Sequence, residues 1–238
     1  MRALMALLLA GSLGFAAPPE RKREIRVPVW FGVDSETSSP AAPGELSVSV
    51  AGVRAQPNAI LGPGDDLMLL IVTDLTGDLS LAEEAKKALG TNLDRLPPNA
   101  LVSVLRAQDG LSVLVDPTAD RDPVKEAIDG LPVSGRAALL GAVEPVSRLG
   151  DAILSKARVR VAALFVTDSD INNYREDLTN PTINYSDERD ISRRFQDSLI
   201  RERISKLEAA LAARETPLFI VHLERRSDAL NQAYQTGL

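Results

Sequence analysis

Three runs of apolar residues constrain this chain more than any other feature. LMLLIVT (67–73), VRVAALFVT (159–167) and PLFIVHL (217–223) are apolar on both faces of an extended backbone. Such a strand needs cover on both sides, which places it in a parallel sheet between helical layers. The intervening residues supply those layers. Leu81, Ala85 and Leu89 recur at helical spacing, and Pro123–Ile128 opens with proline at a helix-start position. RAALLGAVEPVSRL (136–149) reads as a helix with a kink at Pro145. Ile191, Phe195, Leu199, Ile204, Leu207 and Leu211 mark one face of a long helix. Residues 100–106 and 111–115 flank Asp109-Gly110, a hairpin signal, and Ser227-Asp228 is a cap for a last helix at 229–235. The expected fold is α/β: a doubly wound, mostly parallel sheet with helices on both faces and one antiparallel edge hairpin strand.

Upstream, residues 1–17 (MRALMALLLAGSLGFAA) have the layout of a secretory signal peptide. Arg2 is the positive start, Leu4 to Leu9 the apolar stretch, and Gly14, Ala16 and Ala17 the small residues near a cut. The apolar stretch is short of the roughly 20 residues that span a bilayer, so cleavage and export are expected, with no membrane span afterwards. Residues 18–59 read as a leader and a small β appendage. Ile25, Val27, Val29, Phe31 and Val33 alternate around Pro28, which marks an edge strand, and Leu46, Val48 and Val50 alternate before a turn at Gly52. Residues 60–238 form the main domain.

Composition removes several functions. Lys plus Arg is 27 against 33 Asp plus Glu, a net charge of −6, and nucleic-acid binding needs a basic face. With no Cys and a single His, His222, a thiol nucleophile, a Cys- or His-built zinc site and a Ser/His/Asp relay are all disfavoured. His222 sits on an apolar strand and reads as a satisfied structural histidine. Oxygen ligands remain for metal chemistry.

Two of the apolar runs end in acidic clusters, Asp74-Leu75-Thr76-Gly77-Asp78 and Asp168-Ser169-Asp170. Ligands of open parallel sheets sit beyond the carboxyl ends of the strands. If the two strands are neighbours, Asp74, Thr76, Asp78 and Asp168 converge, and hard oxygens at such spacing suit Mg²⁺ or Ca²⁺. A plainer reading makes Asp74 and Asp78 caps for the helix that follows. Asp170, Asn172, Asn173 and Tyr174 open a polar stretch that reads as the partner-facing loop beside the crevice.

VTDLTGD resembles the loop that opens the metal ion-dependent adhesion site of von Willebrand factor type A domains, and ALFVTDSD resembles that family's second Asp-bearing strand end. The resemblance runs over roughly residues 60–238, and the upstream strands resemble those of a secreted bacterial subfamily. It implies a divalent cation held by Asp74 and Thr76 and bridged to an acidic partner residue. Two departures accompany it: Asp78 stands where the family has a second hydroxyl, and Ala137 stands where it has a threonine. The family also has one more strand after 217–223; either the chain is truncated there or the sheet ends early, with 217–223 as its edge. The function expected is a non-enzymatic binding module for another exported protein or a surface polymer. The alternatives are a metal-assisted hydrolase or phosphotransfer enzyme with Asp74 as nucleophile, and a degenerate structural domain without metal.

Overall fold

The computed structural model describes residues 47–55, 57, 59–62, 64–174, 191–227 and 229–237. The signal-like segment, the strand expected at 25–33 and most of the polar stretch after Tyr174 lie outside them, as does Asp228 of the expected last cap.

The described residues begin with a hairpin, β1 (Val48–Val50) and β2 (Val53–Ala55), paired antiparallel. The sequence reading had one strand and a turn here. The turn is Ala51-Gly52 with φ of 49° and 80°, the twist that lets a two-residue loop reverse a strand. The main sheet comprises β3 (Leu67–Asp74), β4 (Ala100–Arg106), β5 (Ser112–Thr118), β6 (Arg160–Thr167) and β7 (Leu218–His222). Their order is β5-β4-β3-β6-β7, with β5 alone antiparallel. This is the expected doubly wound α/β fold with its antiparallel edge hairpin.

Among the described residues, five α-helices cover the faces: α1 (Leu79–Leu93), α2 (Asp122–Asp129), α3 (Leu139–Lys156), α4 (Ile191–Leu211) and α5 (Ala229–Gly237). Side chains of β3 alternate between two cores. Leu70 and Val72 join Phe165, Leu139, Val143, Ile204 and Tyr234 on the α3–α5 side. Ile71 joins Val102, Val104, Ala82, Leu93, Val124 and Ile128 on the α1–α2 side. The central strands are therefore apolar on both faces because each face has its own helices. At the β7 edge, Phe219 and Val221 stay 41% and 44% exposed.

Helix α3 starts later and runs longer than its sequence pattern of 136–149. Residues 136–138 are held extended against the β4 end: Asp109 N–H donates to Arg136 O, Ala138 N–H donates to Ala107 O, and Gln108 bridges Ala137. The helix then continues through Pro145 to Lys156. Its Gly150 packs on Thr216, just ahead of β7. Asp151 holds that threonine in place, accepting from Glu215 N–H and Thr216 N–H at 3.1 Å each and from Thr216 Oγ1 at 2.9 Å. A methyl on Gly150 would lie 2.9 Å from Thr216 Cβ, closer still to its outer atoms. Gly→Ala within a helix ordinarily stabilises by about 0.5–1 kcal/mol. Here Gly150→Ala is expected to destabilise by about 1–3 kcal/mol, read as a lower urea midpoint at unchanged slope.

Candidate functional site

The order in which the chain adds strands switches sides at β3: β4 and β5 lie on one side of it, while β6 and β7 lie on the other, with β3 and β6 parallel. The crevice at such a switch point, beyond the carboxyl ends, is where doubly wound sheets bind ligands. Parallel pairing sets Asp74 opposite Thr167, and Asp168 N–H donates to Asp74 O at 3.3 Å. The two acidic turns expected to meet are thus side by side.

Each acid there has a distinct set of donors. Asp168 accepts from three consecutive backbone N–H groups: Thr76 at 2.7 Å, and Gly77 and Asp78 at 2.9 Å each. This folds the 76–78 turn around one carboxylate, an anion nest built by the chain for its own side chain. Asp78 is the N-cap of α1, its Oδ1 accepting from Ser80 N–H, Ser80 Oγ and Leu81 N–H. These bonds hold its carboxyl below the usual value. The capping reading thus holds for Asp78.

Asp74 does something the sequence reading did not contain. It is fully buried. Its Oδ1 accepts from Ala138 N–H and its Oδ2 from Leu139 N–H, both at 3.3 Å. Thr167 Oγ1 and Tyr174 Oη donate to the same Oδ2 at 3.4 Å. All four contacts are long. Burial raises the carboxyl to about 6; the Ser169 hydroxyl and the Ala138 and Leu139 amides lower it, and Asp168 adds a small upward push.

A buried polar cluster lies behind Asp74. Thr167 Oγ1 and Ser169 Oγ are 2.7 Å apart, and Tyr234 Oη is 3.3 Å from Ser169 Oγ. Tyr174 packs on Tyr234, with ring centroids 5.9 Å apart. Asn231 Oδ1 accepts from Ile171 N–H at 2.9 Å, tying α5 to the 3₁₀ turn Ile171–Tyr174. Sequence reasoning missed Thr167, Ser169, Asn231 and Tyr234. The available signal was polar residues at positions where the surrounding pattern is apolar: Thr167 ends a buried run, and Asn231 and Tyr234 share a helix face.

The expected partner-facing residues are spread over different environments. Asn173 is exposed, and its side chain accepts from Asp170 N–H at 2.7 Å in a local turn. The Asp170 carboxylate lies 4.0 Å from Arg226. The Asn172 side chain is outside the described residues. Tyr174 points inward, because its hydroxyl finds an acceptor at Asp74 and its ring a neighbour in Tyr234. His222 is a packing residue, edge-on to Tyr234 at 5.4 Å, yet neither ring nitrogen has a hydrogen-bond partner, and burial lowers its pKa. It is structural but not satisfied.

The donor set does not fit the hard divalent cation that the resemblance implies. Both oxygens of Asp74 and of Asp168 already face donors, and Ala137 offers a methyl in place of a hydroxyl. Among the described residues no group of three or more His, Cys, Asp or Glu side chains is placed to hold a metal. Thr76 Oγ1 is the one ligand-type oxygen of the four residues that is buried without a partner.

Comparisons with known proteins find matches among solved structures only. No family model matches, and no curated protein matches. Among solved structures, a von Willebrand factor type A protein from Catenulispora acidiphila aligns at 16% identity and a TM-score of 0.41, over 72% of this chain and 41% of that one. Three N-terminal domains of the type V pili tip protein Mfa5 from Porphyromonas gingivalis align at 11% identity and 0.38, over 44% and 20%. Proximal thread matrix protein 1 from the mussel byssus, with a zinc-occupied MIDAS motif, aligns at 15% and 0.39, over 68% and 36%. The chain spans less than half of each of these three. The class of protein rests on the strand order and pairing above: a doubly wound α/β domain with its crevice between β3 and β6.

Two outcomes follow for the crevice. The folded-state value of Asp74, about 6, lies above its ordinary 3.8. The folded chain therefore holds this proton more tightly than the unfolded one. The stability gained is complete below pH 3.8 and is lost as pH rises through about 6. The span is roughly 3 kcal/mol. Asp74→Asn should flatten the profile of urea stability between those values, and an unchanged profile would reassign the titration. Asp168→Ala leaves three N–H groups without their acceptor and should cost about 1–3 kcal/mol, with Asp168→Asn costing less.

Proposed function

We propose that this chain is an exported, non-catalytic binding module that holds another exported protein or a surface polymer at the crevice between β3 and β6. One observation carries the reading: the two acidic turns meet at the switch point, and their inner atoms are occupied in holding the chain together. A catalytic Asp74 would have to expose a nucleophilic oxygen, whereas this one is buried and faces four donors. Contact with a partner then falls to the exposed rim, Gly77 to Ser80, where Leu79 is 68% exposed beside the Asp78 carboxylate. Asn173, Glu224 and Arg225 supply polar groups on neighbouring loops.

Export rests on the signal-like residues 1–17. Among the described residues no helix is long and apolar enough to cross a membrane. The unpartnered Thr76 Oγ1 is a single oxygen beside carboxylates already met by amide donors, so the contact is proposed without a bridging Mg²⁺ or Ca²⁺.

The test immobilises residues 18–238 and offers the exported proteins and surface polymers of the source organism. Binding should weaken at least about tenfold, or 1.4 kcal/mol, in Asp78→Arg and in Leu79→Asp. It should be unchanged in Arg95→Glu, beyond the far end of α1. A ligand bound equally by all three variants removes the crevice from the interaction.

A further inference from the structure

We infer that Asp74 is a positioning residue for helix α3, and that the crevice keeps its shape without a divalent cation. The inference concerns how the crevice is built and stands whether or not a partner binds there.

Helix α3 lacks a cap of its own. Its N-cap residue is Ala138, which makes no side-chain bond, and its first turn contains no acidic residue. A helix start leaves amides without partners, and buried amides need acceptors. The acceptor for Leu139 N–H is the Asp74 carboxylate, 65 residues earlier, and Ala138 N–H is shared between Asp74 Oδ1 and the Ala107 carbonyl. One side chain at the end of the central strand thus caps a helix from another part of the chain. The helix supplies in return the partial positive charge that an anion meets at an N-terminus.

The other acids are committed in parallel fashion. Asp168 gathers the amides of the 76–78 turn, and Asp78 caps α1. The three carboxylates thereby serve three different backbone segments. A cation would enter a crevice already held by amide donors. It would find the Thr76 hydroxyl, the outer oxygen of Asp78 and a methyl at Ala137, whereas Ca²⁺ takes 6–8 oxygens and Mg²⁺ requires octahedral geometry.

Hydrogen exchange distinguishes this role from simple burial. In Asp74→Ala the melting temperature should fall, and the Leu139 amide should exchange at least about tenfold faster relative to the amides in the middle of α3. A Leu139 exchange rate that rises no more than that of the helix interior would overturn the capping role. If Asp74→Ala does not fold, Asp74→Asn takes its place in the same comparison. Alongside, the wild type should melt at one temperature in EDTA and in millimolar Mg²⁺, Ca²⁺ or Mn²⁺. A saturable rise with any of these cations that Thr76→Val abolishes would overturn cation independence. Because these are exchange and melting measurements, they can fail while rim-dependent binding succeeds, and the reverse.

Discussion

A carboxylate at the end of the central strand, closed off from water, must be met by donors from elsewhere in the chain, and the crevice is arranged around that requirement. Desolvation of an acid costs several kcal/mol if nothing compensates it. Asp74 is compensated by the start of α3, by Thr167 on the neighbouring strand and by Tyr174 on the turn after it. Each contact ties down a different element, so one buried charge fixes where three segments sit relative to β3. The compensation is incomplete, and for that reason burial still lifts the carboxyl to about 6.

The neighbouring turn solves the same problem by a different route. Asp168 is less buried and finds three amides at normal distances in a single turn. Short, charge-assisted bonds to consecutive N–H groups give a stiff loop. The loop in turn presents Asp78 to α1 and leaves Leu79 at the surface. The crevice therefore has a rigid polar interior and a rim of mixed character. Tyr234 and Asn231 extend the interior network into α5, so the last helix is held by polar as well as apolar contacts.

Much of the fold was legible because it follows from local periodicity. The runs at 67–73, 159–167 and 217–223 could be satisfied only between two helical layers, and β3, β6 and β7 lie there or at the sheet edge. The Asp109-Gly110 turn predicted the β4–β5 hairpin, and Asp109 does adopt φ of 55°. The start of α3 was misjudged, since residues 136–138 have helical composition but are held extended by the β4 end. Propensity is a weak prior where tertiary bonds compete for the backbone.

The sequence by itself determined that two acidic turns would follow two buried parallel strands, because hydrophobic pattern and turn chemistry are written in neighbouring residues. It also determined the Asp78 cap, a contact between residues two and three apart. Only the tertiary structure decided what Asp74 and Asp168 do there. Their partners lie 64 to 100 residues away along the chain, and a side chain's oxygens are claimed by whichever donors packing brings within reach. An acid poised to bind a cation and an acid that fastens a distant helix look alike in sequence; they differ in which donors the folded chain puts in front of them.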